Sequence, residues 1–333
     1  MILKGRIMSN QDYTPNTPPN RSRRTVTSVF LAFVLLMLIG SAGQSIPVNV
    51  VTYVLIFPEA MELVEQMLNG AITQQQYLTS LAELVLDATA HPATVLATLF
   101  GTGAIIAACL VYHCAIKKNS PSTLGIRKQN AFCHYIIGLL FGFMLFSGAL
   151  AVVIFSGAGS IALAKNANYL YIVLFFLGFL VQGFEEELLL RGFLFGQLKG
   201  VTSRSWAVFI SSLFFSLLHM GNPGVNFTAI LNLTLFGIFA AMYYQRTQSI
   251  WGVSALHSMW NFTQGNIWGV PVSGLNVGGG IFTFTPATGR EVTNGGLFGL
   301  EGGLAVTVVL MIGIFMLFWT SLPKSPRATI IQD

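Results

Sequence analysis

The sequence predicts an all-α integral membrane protein, a polytopic bundle of about eight transmembrane helices with both termini cytoplasmic. Composition is the first reason. Hydrophobic residues make up 53% of the 333 residues and charged residues only 9%, and mean hydropathy is +0.68. A soluble domain carries about a quarter charged residues. The second reason is a series of apolar windows near 27–47, 92–115, 132–156, 168–190, 204–221, 226–244, 249–268 and 303–321. Most approach the about 20 residues that a helix needs to cross the bilayer core; the fifth and sixth are shorter and parted by the turn signal GNPG at 221–224. The third reason is where the cations fall. With the N-terminus cytoplasmic, fourteen of the 17 Lys and Arg residues lie in cytoplasmic segments. Lys165 and Arg290 lie outside and Arg191 lies within a span. Moving the span count by one destroys that partition, so the positive-inside rule selects this topology.

The elements follow in order. Residues 1–25 are polar and proline-containing and read as a disordered cytoplasmic tail. Residues 26–119 hold two N-terminal spans joined by an extracytoplasmic segment, 58–91, with two short amphipathic helices, MELVEQML and YLTSLAELVLD, broken by Asn69-Gly70. Residues 120–303 form the core, and 304–333 the last span with a short cytoplasmic tail. The segment 269–302 is glycine-rich without helical period and reads as a solvated connector, Glu301 included. The net charge of +5 sits in short juxtamembrane clusters, which is an orientation signal and not a nucleic-acid footprint. Cys109, Cys114 and Cys133 have no ligand-like spacing and read as small apolar residues. His113 and His134 read as packed residues bonded to neighbouring carbonyls.

Polar groups inside the spans are the informative exceptions, because an ionised side chain in hydrocarbon costs several kcal/mol. They are EEELLLR at 185–191, FSLLH at 215–219 and HSMWN at 257–261. Positions four apart share a helix face, which pairs Glu187 with Arg191, Phe215 with His219 and His257 with Asn261. At about 1.5 Å per residue from the flanking cytoplasmic charges, Glu186, His219, His257 and Asn261 lie at similar depth, roughly 16–22 Å. Three separate helices thus bring a carboxylate, two imidazoles and an amide to one level.

In order, spacing and placement on separate spans, Glu186-Glu187-LLL-Arg191, Phe215-SLL-His219 and His257-SMW-Asn261 resemble the CAAX-protease and bacteriocin-processing family of intramembrane proteases, which includes the type II CAAX prenyl endopeptidase. LGI at 124–126 and GGLFGLEGG at 295–303 are similar to segments of bacterial members, so the resemblance covers roughly 120–303. Glu185 is one acid more than the family pattern, and the spacing to Arg191 selects Glu186 and Glu187 as the motif pair. The resemblance implies an endopeptidase acting on a membrane-associated peptide or protein, in a multi-pass protein of a cell membrane, bacterial inner or plasma membrane by its loops. It implies Glu186 as general base with His219 as its partner on the water, and His257 and Asn261 as hydrogen-bond donors to the oxyanion. Glu187, Arg191 and Phe215 take supporting roles. A metal-free site is preferred; the alternative is Zn²⁺ on Glu186, His219 and His257 with an open position for water. The competing functions are a catalytically silent membrane maturation or binding factor and a proton-coupled transporter. The intact constellation weighs against the first, and the lack of broken helices or paired halves against the second.

Overall fold

The structure is a computed structural model that describes residues 25–321. The N-terminal tail, apart from Thr25, and residues 322–333 lie outside the described part.

Helix α1 (Val26–Leu68) starts at a capping box, in which Thr25 Oγ1 accepts from the Ser28 backbone and the Ser28 hydroxyl accepts from the Thr25 backbone. It does not stop where its apolar window stops. It runs through Pro47 and Pro58 to Leu68, so MELVEQML forms the last turns of α1 and not a separate helix. The chain breaks at Asn69-Gly70, and α2 (Gln74–Ala90) restarts behind a second capping box, Thr73 with Gln76. Helices α3 (Pro92–Gly101) and α4 (Gly103–Leu110) continue through a π-type turn, Val111–Ile116. After them come α5 (Ala131–Phe155), strand β1 (Gly159–Leu163) and α6 (Tyr169–Glu187), which passes through a π-type segment, Leu188–Phe195, into the short α7 (Gly196–Leu198). Helices α8 (Arg204–Leu217), α9 (Phe227–Thr247) and α10 (Ile250–Phe262) follow, the last extended by a π-type turn, Thr263–Ile267. Strand β2 (Phe282–Pro286), α11 (Glu291–Asn294) and α12 (Leu304–Ser321) complete the described chain.

The fold is mostly helical, with a correction to the all-α expectation. β1 and β2 form a two-stranded antiparallel sheet, from Gly159 opposite Pro286 to Leu163 opposite Phe282. The alternation FTFTP suits a half-buried strand, and one such pairing lies below what hydropathy windows detect.

Among the described residues four helices are long and apolar enough to cross a membrane: Val26–Leu68, Pro92–Ile116, Ala131–Phe155 and Phe227–Thr247. Arg204–Leu217 and Leu304–Trp319 are shorter apolar helices. Several such helices in one chain make a multi-pass membrane protein. The two helices with the richest polar motifs, α6 and α10, fall outside this set: α6 ends in three carboxylates and α10 has 13 residues. α10 is the axis of the bundle. It packs against α5 and α6, while α8 lies on α9, and α12 spans α9 and α5. Among apolar chains hydrophobicity gives helices little reason to associate; close backbone approach and polar links do so instead. The segment between α10 and α12 is stitched to the bundle by such links. Asn232 donates to the carbonyls of Glu301 (2.8 Å) and Gly303 (2.9 Å), and Asn222 to that of Ser273 (2.9 Å).

Candidate active site

Two glycines permit the approaches that assemble the site. A Cβ on Gly183 would fall 2.8 Å from the Ser258 backbone nitrogen, so α6 and α10 meet here almost backbone to backbone. A Cβ on Gly237 would fall 2.7 Å from Ser212 Cα, which presses α9 onto α8 and turns the Gly237 carbonyl toward Arg191.

Between these contacts lies a cavity of about 270 Å³. Glu186, His219, His257 and Asn261, drawn from α6, the end of α8 and α10, all line it, and so does Glu185. Residues 76 positions apart in sequence at the extremes thus line one cavity. π-type winding begins just after Glu187 and just after Phe262, and such segments are frequent at functional sites because they re-aim side chains.

The links within this cluster are specific. Arg191 Nη1 donates to Glu187 Oε1 at 3.0 Å with both side chains fully buried, and Arg191 Nη2 donates to the Gly237 carbonyl at 3.3 Å. The same Glu187 oxygen receives His257 Nδ1 at 2.8 Å. This anchors the imidazole, whose Nε2 stands 3.8 Å from Glu186 Oε2. Phe215 fills the space around them: its ring lies 4.9 Å from the Arg191 guanidinium, 4.9 Å from the His219 ring and 5.6 Å from the His257 ring.

His219 differs from its expected setting. Helix α8 ends at Leu217, and His219 stands in the turn beyond it with Nδ1 2.8 Å from the Phe215 carbonyl. A carbonyl can only accept, so Nδ1 carries the proton and Nε2 of the neutral ring is left as an acceptor.

Gln182 is a site residue that the motif spacing does not reveal. Its amide nitrogen donates to Glu186 Oε1 through a short hydrogen bond, and its amide oxygen accepts from Asn261 Nδ2 at 3.0 Å. Asn261 therefore reaches Glu186 through Gln182. The signal was present: an amide in an apolar run, one helical turn before Glu186. The other oxygen, Glu186 Oε2, is buried with no hydrogen-bond partner among the described residues. Glu187 Oε2 shares that condition, but its side chain is sealed from the cavity at 0% exposure while that of Glu186 is 17% exposed.

The reading of Glu301 as a solvated loop acid is overturned. Glu301 is buried and accepts from Trp260 Nε1 (3.1 Å), Gln264 Nε2 (3.2 Å), the Ser273 backbone N–H (2.8 Å) and the Ser273 hydroxyl (2.9 Å). Gly299, at φ 83° and ψ −174°, takes a backbone conformation essentially restricted to glycine just before this acid. Four donors offset the cost of desolvating the carboxylate. Glu185 is buried on the cavity wall, and nothing in the structure explains why a third acid stands there.

A zinc-binding arrangement was the alternative for Glu186, His219 and His257. Among the described residues no group of three His, Cys, Asp or Glu side chains stands close enough to hold a metal ion. His257 Nδ1 is turned to Glu187 and His219 Nδ1 to a carbonyl, which leaves the two Nε2 atoms as the ring positions a metal would use.

Residues 167–263 match the family model of the type II CAAX prenyl endopeptidase Rce1-like proteins. They are an Rce1-like domain. That family is a protease family, and this stretch of the chain holds all three motifs together with Gln182. The Rce1-like domain begins just before α6 and ends as α10 gives way to its π-type turn; the matched stretch is shorter than the 120–303 over which the motifs suggest a resemblance. Neither the curated proteins nor the solved structures contain a match to the chain.

Proposed function

We propose that the protein is an intramembrane endopeptidase that hydrolyses a peptide bond of a membrane-associated protein or peptide. One observation carries the reading: Glu186 has one oxygen held by Gln182 and the other buried, without a partner among the described residues, beside a cavity that His219 also lines. A carboxylate poised in this way can accept a proton from water. In the proposed step a water hydrogen-bonded to Glu186 Oε2 and His219 Nε2 attacks the scissile carbonyl carbon as its proton passes to Glu186. The C–O bond forms and the carbonyl oxygen becomes an oxyanion. His257 Nε2, when protonated, and the second amide N–H of Asn261 are the donors available to it; fixed donors in a water-poor site are worth far more than in bulk water. Collapse of the tetrahedral intermediate breaks the C–N bond, and Glu186 returns the proton to the leaving amine. Glu187 supports the step indirectly by fixing His257 and neutralising Arg191.

The eight-span arrangement with both termini cytoplasmic belongs to this proposal, and the alternation of helices supports it: the starts of α5, α8 and α10 and the ends of α4 and α9 lie near Lys117, Arg127, Arg204 and Arg246. The test compares peptide termini in membrane fractions of cells carrying the wild type or Glu186→Gln at equal abundance. Termini that vanish with the variant name the substrate. Identical sets under several growth conditions would sink the protease reading in favour of a silent maturation factor. Repeating the comparison with a chelator separates the carboxylate mechanism from the zinc-dependent one.

A further inference from the structure

The basic end of the bundle holds a second cavity that the proposed chemistry does not use. It measures about 660 Å³, within the usual range of small-molecule sites. Its mouth is formed where the segment before α5 meets the turn between α9 and α10. Arg127 and Arg246 line that mouth together with Gln129, Asn130, Thr247 and Ser249. Two bonds lock the corner: the Ile250 backbone N–H donates to the Gly125 carbonyl at 2.9 Å, and Trp251 Nε1 to the Arg127 carbonyl at 2.9 Å.

Below the mouth the character changes. Ile137, Phe141 and Leu145 of α5 form one apolar stripe beneath His134, faced by Phe239 of α9 and Met316 of α12. From His134 to Leu145 the stripe runs roughly 16 Å along the helix axis, about half the ~30 Å hydrocarbon core and so one leaflet deep. Helix α12 lies against both α5 and α9 and walls the groove. Ile137 and Phe141 are 43% and 41% exposed, so the groove opens sideways to where lipid would be.

We propose that this groove binds an anionic phospholipid, with its phosphate at Arg127 and Arg246 and one acyl chain along the α5 stripe. Three observations converge on that ligand. None of the described lining residues is acidic, so among them the mouth offers cations for a phosphate and no carboxylate for a choline headgroup. His134 Nδ1, at the junction of polar mouth and apolar stripe, is buried with no hydrogen-bond partner among the described residues, where an ester or phosphate oxygen of the lipid would meet it. The groove below is apolar for one leaflet, which a soluble phosphate compound would leave unfilled. Basic pockets between membrane helices on the cytoplasmic side bind anionic headgroups by this combination of charge and depth.

The test uses the full chain, purified in detergent after reconstitution in an equal mixture of dioleoylphosphatidylglycerol and dioleoylphosphatidylcholine. Retained lipid is counted by native mass spectrometry. The wild type is expected to keep phosphatidylglycerol selectively, and Arg127→Gln/Arg246→Gln to lose that preference by roughly 30-fold, the effect of two interfacial cations. Ile137→Trp is expected to expel the lipid by filling the stripe. Glycerol 3-phosphate in excess is expected to compete poorly, because it lacks the acyl chain. Glu186→Gln is expected to retain lipid as the wild type does, which keeps this result separate from the protease reading. Equal retention of both lipids by the wild type would overturn the proposal without reliance on any variant. So would an undiminished preference in the double-Arg variant or displacement by glycerol 3-phosphate. Binding that emerges only after truncation at Ser321 would assign the groove to residues 322–333 and overturn it as well.

Discussion

Two carboxylates face the same cavity and have opposite surroundings. Glu301, at the end of the glycine-rich segment, accepts four hydrogen bonds from Trp260, Gln264 and Ser273. Glu186, on α6, has one oxygen bonded to Gln182 and the other without a partner among the described residues. A buried carboxylate with all its donors in place has spent its capacity on holding structure, whereas one that lacks donors on an accessible edge can still bind water and take a proton. The contrast fits Glu301 to fastening the segment over the cavity and supports the role proposed for Glu186, although both are acids at one wall.

The largest expected effect is on Glu186. Replacing it with Gln keeps the shape and the Gln182 contact but removes the base, and cleavage in the peptide-termini comparison should fall by about 10³-fold. Unfolding temperature in detergent should hardly move. Arg191→Met attacks structure instead: it leaves Glu187 as a buried charge with His257 alone to bond it and should cost about 3–5 kcal/mol, seen as a lower unfolding temperature. The double change Arg191→Met/Glu187→Gln should recover part of that loss; no recovery would mean that the ion pair is not what Arg191 supplies. Gln182→Ala comes next. Losing a hydrogen bond to a charged group is worth about 1.5–3 kcal/mol, so cleavage should drop roughly 10–100-fold with little loss of stability. A Gln182→Ala enzyme with wild-type turnover would remove Gln182 from the site. Glu301→Gln should have the smallest effect, about 1–3 kcal/mol of local stability, read as faster limited proteolysis of the 268–303 segment. If Glu301→Gln abolished cleavage at intact stability while Glu186→Gln did not, the comparison between the two acids would be reversed.

The motifs were legible because they are local. His257 and Asn261 share a helix face by spacing alone, and counting residues from the flanking cations brings Glu186, His219 and His257 to one level. The structure assembles them around one cavity. Gln182 was visible as an amide in an apolar run, but its link to Asn261 was not, since that partner lies 79 residues away. Glu301 was misread because glycines around it suggested solvent, and only the folded segment brings Ser273 and Trp260 to it. The β1–β2 pair escaped notice because its strands are short and only their pairing, across more than a hundred residues, distinguishes them from loop.

By itself the sequence determined the helical, membrane-embedded class of the protein and the helix faces that carry polar groups. Hydropathy windows and the spacing of four residues along a helix are properties of contiguous chain. Only the tertiary structure decided which partner each polar group takes. His257 turns Nδ1 to Glu187, 70 residues away, and Glu301 finds Ser273 across 28. In a low-dielectric interior a buried polar atom is satisfied only by a partner that the packing brings within about 3 Å. That choice is made by the close approach of α6 to α10 and of α8 to α9, which no single segment contains.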